Sequence, residues 1–364
     1  MEQTLSEKLA ALSKKAGAIG ASLPLTPDTD ALGQPIAVAG HDLPNRLIYA
    51  PAPCFDAAES GAPTAATVTR YSAAVQERCY AQIWLELTAI DESGRRDPHQ
   101  LMLTAENIDV FAAFVRQLRA TAKALHGAEP QILITLDHAG REALSPVVME
   151  PTLLTPEGAE VISDTDLRGL IVTCANVAQY AAEAGFDGYA LNAADRSLFG
   201  ESLASFHRDR LFNSPFGGDF DDRTRFLRDC YTAAYMTAPT LIPAIRLTLS
   251  DGIAQPDGWG MSFENETHPD VCEPSMLLNV LHALYGVSLV NCTIGIPGVN
   301  WMNGEPESEL IRVSRLCSCI AMIDSNLQEN VQLILPESGM AEIPFDNLAA
   351  GMVGGEFASF AAYL

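Results

Sequence analysis

The sequence predicts an α/β fold, a single (β/α)8 TIM barrel preceded by a helical extension. Two observations support this prediction. Short apolar runs typical of strands alternate with long amphipathic segments along nearly the whole chain, and few polar linkers interrupt them. The strand-like runs are also continuously apolar, as in QILITL, which is typical of parallel strands covered on both faces. We therefore expect a closed parallel barrel rather than an open sheet.

Eight segments have the length and composition of barrel strands. They are residues 46–52, 82–88, 131–137, 187–192, 241–247, 287–292, 332–337 and 356–361. The segments between them carry apolar residues at helical spacing. The clearest is the predicted helix 164–184, in which Asp164 can cap the first turn and Gly185 ends the helix. Residues 252–272 and 295–306 are expected to form long loops after the fifth and sixth strands.

The two ends of the chain depart from this alternation. Residues 1–34 are expected to form the N-terminal helical extension, and residues 35–364 the barrel. The sequence stops at Leu364, shortly after the eighth predicted strand, which leaves no segment for an eighth outer helix. We expect the N-terminal extension or another subunit to cover that flank, and hence a homodimer or a heteromeric complex.

The composition argues against several classes of function. The 46 acidic and 22 basic residues give a formal net charge of −24, which disfavours binding to nucleic acid or to an anionic membrane surface. No segment approaches the roughly 18 apolar residues of a membrane span. Glu2 stands where a signal peptide needs positive charge and no long apolar core follows, so we expect no signal peptide. We therefore expect a cytoplasmic protein with eight free cysteines. Cys317 and Cys319 would point apart on a helix, so we expect no metal site.

Chemistry in such a barrel is expected at the C-terminal ends of the strands and in the loops after them. The fourth strand leads into a polar cluster within GFDGYALNAADRSLFGE, formed by Asn192, Asp195 and Ser197. Arg246 ends the fifth strand, where a buried charge is costly without a partner. Arg246 would therefore bind a ligand or pair with a carboxylate of the protein.

Six segments of the chain form a specific combination by their order and spacing. They are NRLIYAPAP, LELTAIDESGR, ITLDHAGREA, AGFDGYALNAADRSLF, FGGDFDDRTRFL and AIRLTLSD. In this order and spacing the chain resembles the Old Yellow Enzyme family over residues 35–364, as a divergent member with a truncated C-terminus. The resemblance implies a (β/α)8 barrel that binds FMN across its mouth. It also implies an enzyme that takes hydride from NAD(P)H and reduces an activated alkene in a small-molecule substrate.

The resemblance implies a set of cofactor-binding residues, some of which differ from the family's pattern. They are Pro51, Ala52, Pro53, Leu87, Thr135, Arg246, Ser338 and Gly339. Arg246 would face the N1–C2 edge of the flavin, whereas Thr135 replaces a glutamine that reads the pyrimidine edge. Leu87 replaces a smaller residue. Pro53 replaces a Cys or Thr whose side-chain hydrogen bond tunes the reduction potential of the flavin. No Gly-Arg pair follows the eighth predicted strand to bind the phosphate, so we expect FMN to be weakly bound or absent.

The catalytic positions implied by the resemblance are altered together. Asn192 and Asp195 stand where the family has a His/His or His/Asn pair that binds the substrate's carbonyl oxygen. Ser197 stands where the family has a tyrosine that protonates the substrate. An ionised Asp195 would repel a developing enolate, and serine is a far weaker acid than tyrosine. We therefore expect a degraded active site.

Two functions remain open on the sequence. The first is an NAD(P)H:flavin oxidoreductase with altered sites, which acts on an atypical small molecule whose amine could pair with Asp195. The second is a non-catalytic pseudoenzyme, a barrel that serves as a scaffold or partner subunit. The second is suggested because the losses concentrate at flavin and substrate contacts while packing motifs such as AGFDG persist. A flavin-free lyase or isomerase has no residue signature in this chain.

Overall fold

The computed structural model describes residues 5–23, 30–301, 308–327, 331–335 and 350–353. Within these ranges eight strands close into a barrel, which confirms the predicted fold class. In chain order the strands are β1 (Leu47–Tyr49), β2 (Gln82–Ala89), β3 (Gln131–Asp137), β4 (Gly188–Ala193), β5 (Ile242–Thr248), β6 (Leu289–Thr293), β7 (Gln332–Leu335) and β8 (Ala350–Val353). The first seven run parallel to one another, and each overlaps one of the first seven predicted segments.

The eighth strand departs from the predicted arrangement. β8 pairs antiparallel with both β7 and β1, whereas a regular (β/α)8 barrel is parallel throughout. An antiparallel strand re-enters the sheet at the end where its predecessor left it, so it needs no helical crossover. The predicted strand 356–361 lies outside the described residues, as does any outer helix after β8. The barrel is therefore closed by an earlier segment than predicted, running in the opposite direction.

Long helices pack around the barrel, and no helix among the described residues is long and apolar enough to cross a bilayer. In chain order they are α1 (Leu5–Ala18), α2 (Ala65–Glu77), α3 (Ile108–His126), α4 (Asp164–Ala184), α5 (Phe220–Thr237), α6 (Cys272–Tyr285) and α7 (Glu309–Asp324). The cap of α4 is Ser163 rather than the predicted Asp164, because the extended Ser163 accepts a hydrogen bond from the Asp166 amide. Gly185 ends α4 in the left-handed conformation, as predicted.

A short hairpin closes the N-terminal end of the barrel. Its strands, Ile36–Val38 and His41–Leu43, pair antiparallel. One buried residue from each strand packs into the barrel interior with Ile48, Trp84 and Leu133. This apolar layer fills the lower half of the barrel, so the space for a ligand lies at the opposite, C-terminal end.

The helix α1 lies in the predicted N-terminal extension. Its buried Leu12 and Ala16 belong to the same hydrophobic core as the barrel helices. Just beyond the helix, the Ser22 amide donates to the Ser314 hydroxyl of α7 at 2.9 Å. The extension therefore packs against the barrel wall rather than standing apart from it. The exact boundary between an extension 1–34 and a barrel 35–364 stays a prediction.

Candidate functional site

A cavity of about 370 Å³ opens at the C-terminal end of the barrel. Its wall is mainly apolar and is formed by Ala50, Pro51, Ala52, Pro53, Phe55, Trp84, Leu85, Leu87 and Pro297. Its polar side chains are Glu86, Arg96, Thr135, Glu142, Asp195, Arg246 and Asn291. An apolar pocket with a few convergent polar groups at this end of a barrel is the usual form of a ligand site.

The cavity brings together most of the cofactor-binding residues predicted from the sequence. Six of the eight line it, from four different strands or the segments that follow them: Pro51, Ala52, Pro53, Leu87, Thr135 and Arg246. They meet because the carboxyl ends of parallel strands lie at one end of the barrel. The other two, Ser338 and Gly339, lie outside the described residues.

Arg246 forms an ion pair with a residue of the loop after β4. Its Nη1 lies 2.6 Å from Oδ2 of Asp195 and donates a second hydrogen bond, of 3.0 Å, to Oδ1 of Asn192. The amide and the guanidinium face each other because Asn192 and Arg246 are in register on β4 and β5. Of the two roles considered for Arg246, the pairing with a carboxylate of the protein is present, and the side chain also lines the cavity.

The backbone holds Asp195 in a specific orientation. Asp195 and Arg196 have φ angles of 56° and 55°, a left-handed conformation that side chains with a Cβ rarely adopt. Such a conformation persists where surrounding contacts enforce it. Here the Asp195 amide donates to the Thr248 hydroxyl at 3.0 Å, and the buried Arg196 pairs with Asp251. The loop therefore directs the Asp195 carboxylate towards Arg246.

Asn192 is fully engaged on both ends of its amide. Its Oδ1 accepts from Arg246, and its Nδ2 donates to Oδ1 of the buried Asp137 at 2.8 Å. The other oxygen of Asp137 accepts from Nε of Arg96 at 3.2 Å, and Arg96 also pairs with Glu142. A continuous network of hydrogen bonds and ion pairs thus runs from Arg246 to Glu142 at the cavity. Asn192 itself is buried and supports this network beneath the cavity floor.

Ser197 lies away from the cavity surface. Its side chain is fully buried, and its hydroxyl donates to the carbonyl oxygen of Asn192. The same hydroxyl accepts a hydrogen bond from the Gly200 amide and so caps the short helix Leu198–Ser202. These contacts give Ser197 a structural role in shaping the loop that carries Asp195.

The sequence reasoning missed a buried carboxylate at the edge of the cavity. Glu86 of β2 accepts a hydrogen bond of 2.6 Å from the Cys54 amide and pairs with Arg70 of α2. Arg70 also binds both oxygens of Asp56. Burial raises the pKa of Glu86, and the neighbouring Arg70 opposes that shift. A glutamate inside the apolar run QIWLELT was the available signal, since a charge in a buried strand needs a partner.

Arg96, Glu142 and Asn291 also line the cavity without having been assigned a role from sequence. Asn291 was visible as the polar end of a strand, and Arg96 lies in the loop after β2. The pairing of Arg96 with Asp137 and Glu142 depends on contacts between distant segments, which the sequence does not encode locally. Among the described residues, no three His, Cys, Asp or Glu side chains form a group that could hold a metal ion.

The fold and the site together define an α/β-barrel protein with a ligand cavity at the C-terminal face. The sequence profile described as the NADH:flavin oxidoreductase / NADH oxidase family matches residues 31–255, more than half of the chain. The protein belongs to this family. Proteins of the family bind FMN and use NAD(P)H as reductant. No curated protein sequence matches the chain.

Solved structures of Old Yellow Enzyme relatives share the fold. The Old Yellow Enzyme from Pichia sp. AKU4542 is 17% identical, with a TM-score of 0.65 over 87% of this chain and 78% of that one. The Old Yellow Enzyme homologue from Zymomonas mobilis is 19% identical, with a TM-score of 0.62 over 85% and 82%. Morphinone reductase in complex with tetrahydroNAD is 18% identical, with a TM-score of 0.60 over 86% and 82%.

Proposed function

We propose that this protein is an FMN-dependent NAD(P)H oxidoreductase whose flavin and substrate sites differ from those of the Old Yellow Enzyme pattern. The observation that supports it is the convergence of Pro51, Ala52, Pro53, Leu87, Thr135 and Arg246 on one cavity. These residues are separated in sequence, and the resemblance assigns all of them to the flavin. A scaffold without a ligand has no need to keep such a cavity open.

The size and lining of the cavity suit a flavin ring. Its volume of about 370 Å³ falls within the range of small-molecule sites, roughly 300–1,000 Å³. The mainly apolar wall suits a flat aromatic ring system. Both hydrogen bonds from Arg246 to described residues leave from Nη1, and Nε and Nη2 have no partner among those residues. The residues present therefore fit the ring of FMN.

In the proposed enzyme the protein's own residues bind and orient. Bound FMN would supply hydride transfer between NAD(P)H and substrate. Pro51, Pro53 and Leu87 would pack against the ring and exclude water, while Thr135 offers one hydroxyl for a hydrogen bond. Arg246 would stabilise negative charge on the ligand, since a cation beside a developing anion lowers its energy. The phosphate contacts predicted at Ser338 and Gly339 belong to the same proposal.

The substrate side of the proposed site favours an amine over a carbonyl oxygen. Asp195 presents a carboxylate to the cavity, and the amide hydrogens of Asn192 face Asp137 instead of the cavity. Oδ1 of Asp195 accepts no hydrogen bond from a described residue and could accept one from an ammonium group. We infer that the substrate is a small molecule with an amine.

The experiment begins with purified protein and added FMN. We expect the visible absorption band of the flavin to shift on binding, and NADH or NADPH to bleach it under anaerobic conditions. Benzylamine and benzyl alcohol, a matched amine and neutral probe, are then titrated into the flavin complex. The amine should perturb the flavin spectrum at a lower concentration, and Asp195→Asn should remove that preference. Equal binding of both probes by the unmodified protein would contradict the amine assignment.

A non-catalytic barrel is the second candidate. It is favoured by the Arg246–Asp195 ion pair, which engages the predicted flavin arginine, and by the burial of Ser197, which leaves no proton donor at that position. Protein that stays colourless and shows no spectral change with FMN would support this candidate and overturn the first. A cytoplasmic location and association as a homodimer or heteromeric complex stay predictions of the sequence.

A further inference from the structure

Asn291 is a buried polar side chain whose carbonyl oxygen has no hydrogen-bond partner among the described residues. It lies on β6, lines the mouth cavity and is only 4% exposed. Its Oδ1 is shielded from solvent. Buried polar groups in folded proteins are nearly always hydrogen-bonded, because losing solvent without gaining a partner is costly. An exception at the wall of a ligand cavity needs a physical reason.

The strand register places this amide beside the predicted flavin arginine. Asn291 pairs with Arg246 across β5 and β6, as Asn192 pairs with Arg246 across β4 and β5. Neighbouring strands are about 4.8 Å apart, so the three polar side chains form one row across the mouth. Asn192 is bonded on both ends of its amide, to Arg246 and to Asp137. Asn291 is the member of the row whose Oδ1 accepts no hydrogen bond from a described residue.

The amide of Asn291 matters because Thr135 cannot make all the hydrogen bonds that the resemblance implies at its own position. In the resemblance it replaces a glutamine whose amide reads the pyrimidine edge of the flavin. A threonine hydroxyl is shorter and provides one donor, whereas an amide provides a carbonyl acceptor and an N–H donor together. The pyrimidine edge alternates carbonyl oxygens and an N–H group, so an amide can pair with it from either end. Asn291 is a cavity-lining amide whose carbonyl oxygen has no partner in the part of the chain that the structure describes.

We propose that Asn291 binds the polar ring edge of FMN beside Arg246 and replaces the amide lost at Thr135. This inference rests on the proposed function, because it assigns the cavity to a flavin. The cost of the unpaired amide in the ligand-free protein is then offset when the ligand arrives. Functional groups that lower the stability of the free protein are expected at binding sites.

The proposal predicts that affinity and stability change in opposite directions. In the absence of flavin, Asn291→Leu should melt at the same temperature as the unmodified protein or higher, since an unsatisfied amide is replaced by an apolar group. The same variant should bind both FMN and riboflavin about tenfold more weakly. Riboflavin lacks the phosphate, so its titration isolates contacts to the ring and ribityl chain. Asn291→Ala is measured beside it, in case leucine is too large for the site.

Asn107 provides the matched control. It is also a buried asparagine, but it lies away from the cavity and its amide donates to the carbonyl oxygens of Ser60 and Met102. Asn107→Leu should lower the melting temperature and leave flavin affinity unchanged. Replacing Asn291 should therefore weaken flavin binding without lowering the melting temperature, whereas replacing Asn107 should lower the melting temperature without weakening flavin binding.

Three outcomes separate the proposals. Unchanged flavin binding by Asn291→Leu and Asn291→Ala would overturn the role of Asn291 and leave the proposed function intact. A large loss of melting temperature in both variants without flavin would show that the amide serves the fold, and would also overturn it. If the unmodified protein binds neither flavin, the proposed function fails, and the assignment of Asn291 to a flavin fails with it.

Discussion

Arg246 and Asp195 form an ion pair at the barrel mouth, with 2.6 Å between Nη1 and Oδ2. The same nitrogen also donates to Asn192, which concentrates the protein's contacts on one corner of the guanidinium. Arg246 and the Asp195 that pairs with it both line the cavity. Because opposite charges close together partly cancel, a ligand there experiences a weaker positive field than an unpaired arginine would produce.

We expect Asp195→Asn to raise the midpoint potential of bound FMN. Removing the carboxylate strengthens the positive field of Arg246, which favours the reduced, negatively charged flavin. The pair is partly exposed, so the effect should be near 1 kcal/mol, or about 20 mV for a two-electron couple. A potentiometric titration with reference dyes measures it, and Asp109→Asn on the exposed surface of α3 is the control. A lower potential in Asp195→Asn would contradict the charge argument.

Arg246→Ala is expected to abolish FMN binding. It removes the cation predicted for the flavin and leaves Asp195 and Asn192 without their shared donor. The loss of that donor should also lower the free energy of unfolding by about 1–3 kcal/mol. Arg225→Ala, which breaks a surface ion pair with Asp222, should cost at most about 1 kcal/mol and leave FMN binding unchanged. Retained FMN affinity in Arg246→Ala would mean that the cavity holds another ligand.

Ser197→Ala is expected to change stability more than catalysis. The hydroxyl caps the helix Leu198–Ser202, and loss of such a cap costs about 0.5–2 kcal/mol. Urea unfolding measures this loss, and steady-state kinetics at a temperature where the variant is folded measures catalysis. A hundredfold fall in kcat with unchanged stability would restore Ser197 as a catalytic residue.

A buried glutamate should make the stability of the protein depend on pH. Burial raises the pKa of Glu201 to about 7, although the charge of Arg196 acts in the opposite direction. A raised carboxyl pKa means that the folded protein holds a proton that the unfolded chain releases at lower pH. The stabilising contribution is therefore complete at acidic pH, below the usual pKa of a glutamate, and is lost as the pH rises towards about 7.

The variant Glu201→Gln removes this titration. It should unfold at a similar denaturant concentration to the unmodified protein at pH 5, and should be more stable by on the order of 1–3 kcal/mol at pH 8. Denaturant unfolding at both pH values tests the sign of the stability difference between Glu201→Gln and the unmodified protein. Equal stability of the two proteins at pH 8 would show that Glu201 ionises in the folded state without penalty.

The sequence predicted well those structural features, such as strands and helix ends, that a local pattern of residues determines. Apolar runs located seven barrel strands. The resemblance to the Old Yellow Enzyme family supplied six residues that line the cavity, and they meet there because a parallel barrel gathers its strand ends in one place. The eighth strand was misplaced because an antiparallel closure depends on pairing with both β1 and β7, which no local pattern encodes. The cap of α4 was missed by one residue, since Ser163 and Asp164 are both good capping residues.

Side-chain partners at the site were harder to predict. The sequence predicted either a ligand or a carboxylate of the protein as the partner of Arg246. The left-handed backbone conformation at Asp195, which the sequence did not predict, accompanies the ion pair between the two residues. The burial of Ser197 follows from the same turn. Glu86 and Asn291 were assigned no role from the sequence, because their place at the cavity and their hydrogen-bond partners depend on which residues surround them in the folded protein. The flavin contacts predicted at Ser338 and Gly339 remain untested.

The amide of Asn192 also limits how the site could be redesigned. It donates to Asp137 on one side and accepts from Arg246 on the other, and each of these charged groups has a second partner, Arg96 for Asp137 and Asp195 for Arg246. A histidine introduced at position 192 has one donor and one acceptor nitrogen in a different geometry from the amide, so it would weaken at least one of the two bonds. Introducing a histidine pair at positions 192 and 195 would therefore also disturb the bonds of Asp137 and Arg246, and the effects of these replacements on stability would not add independently.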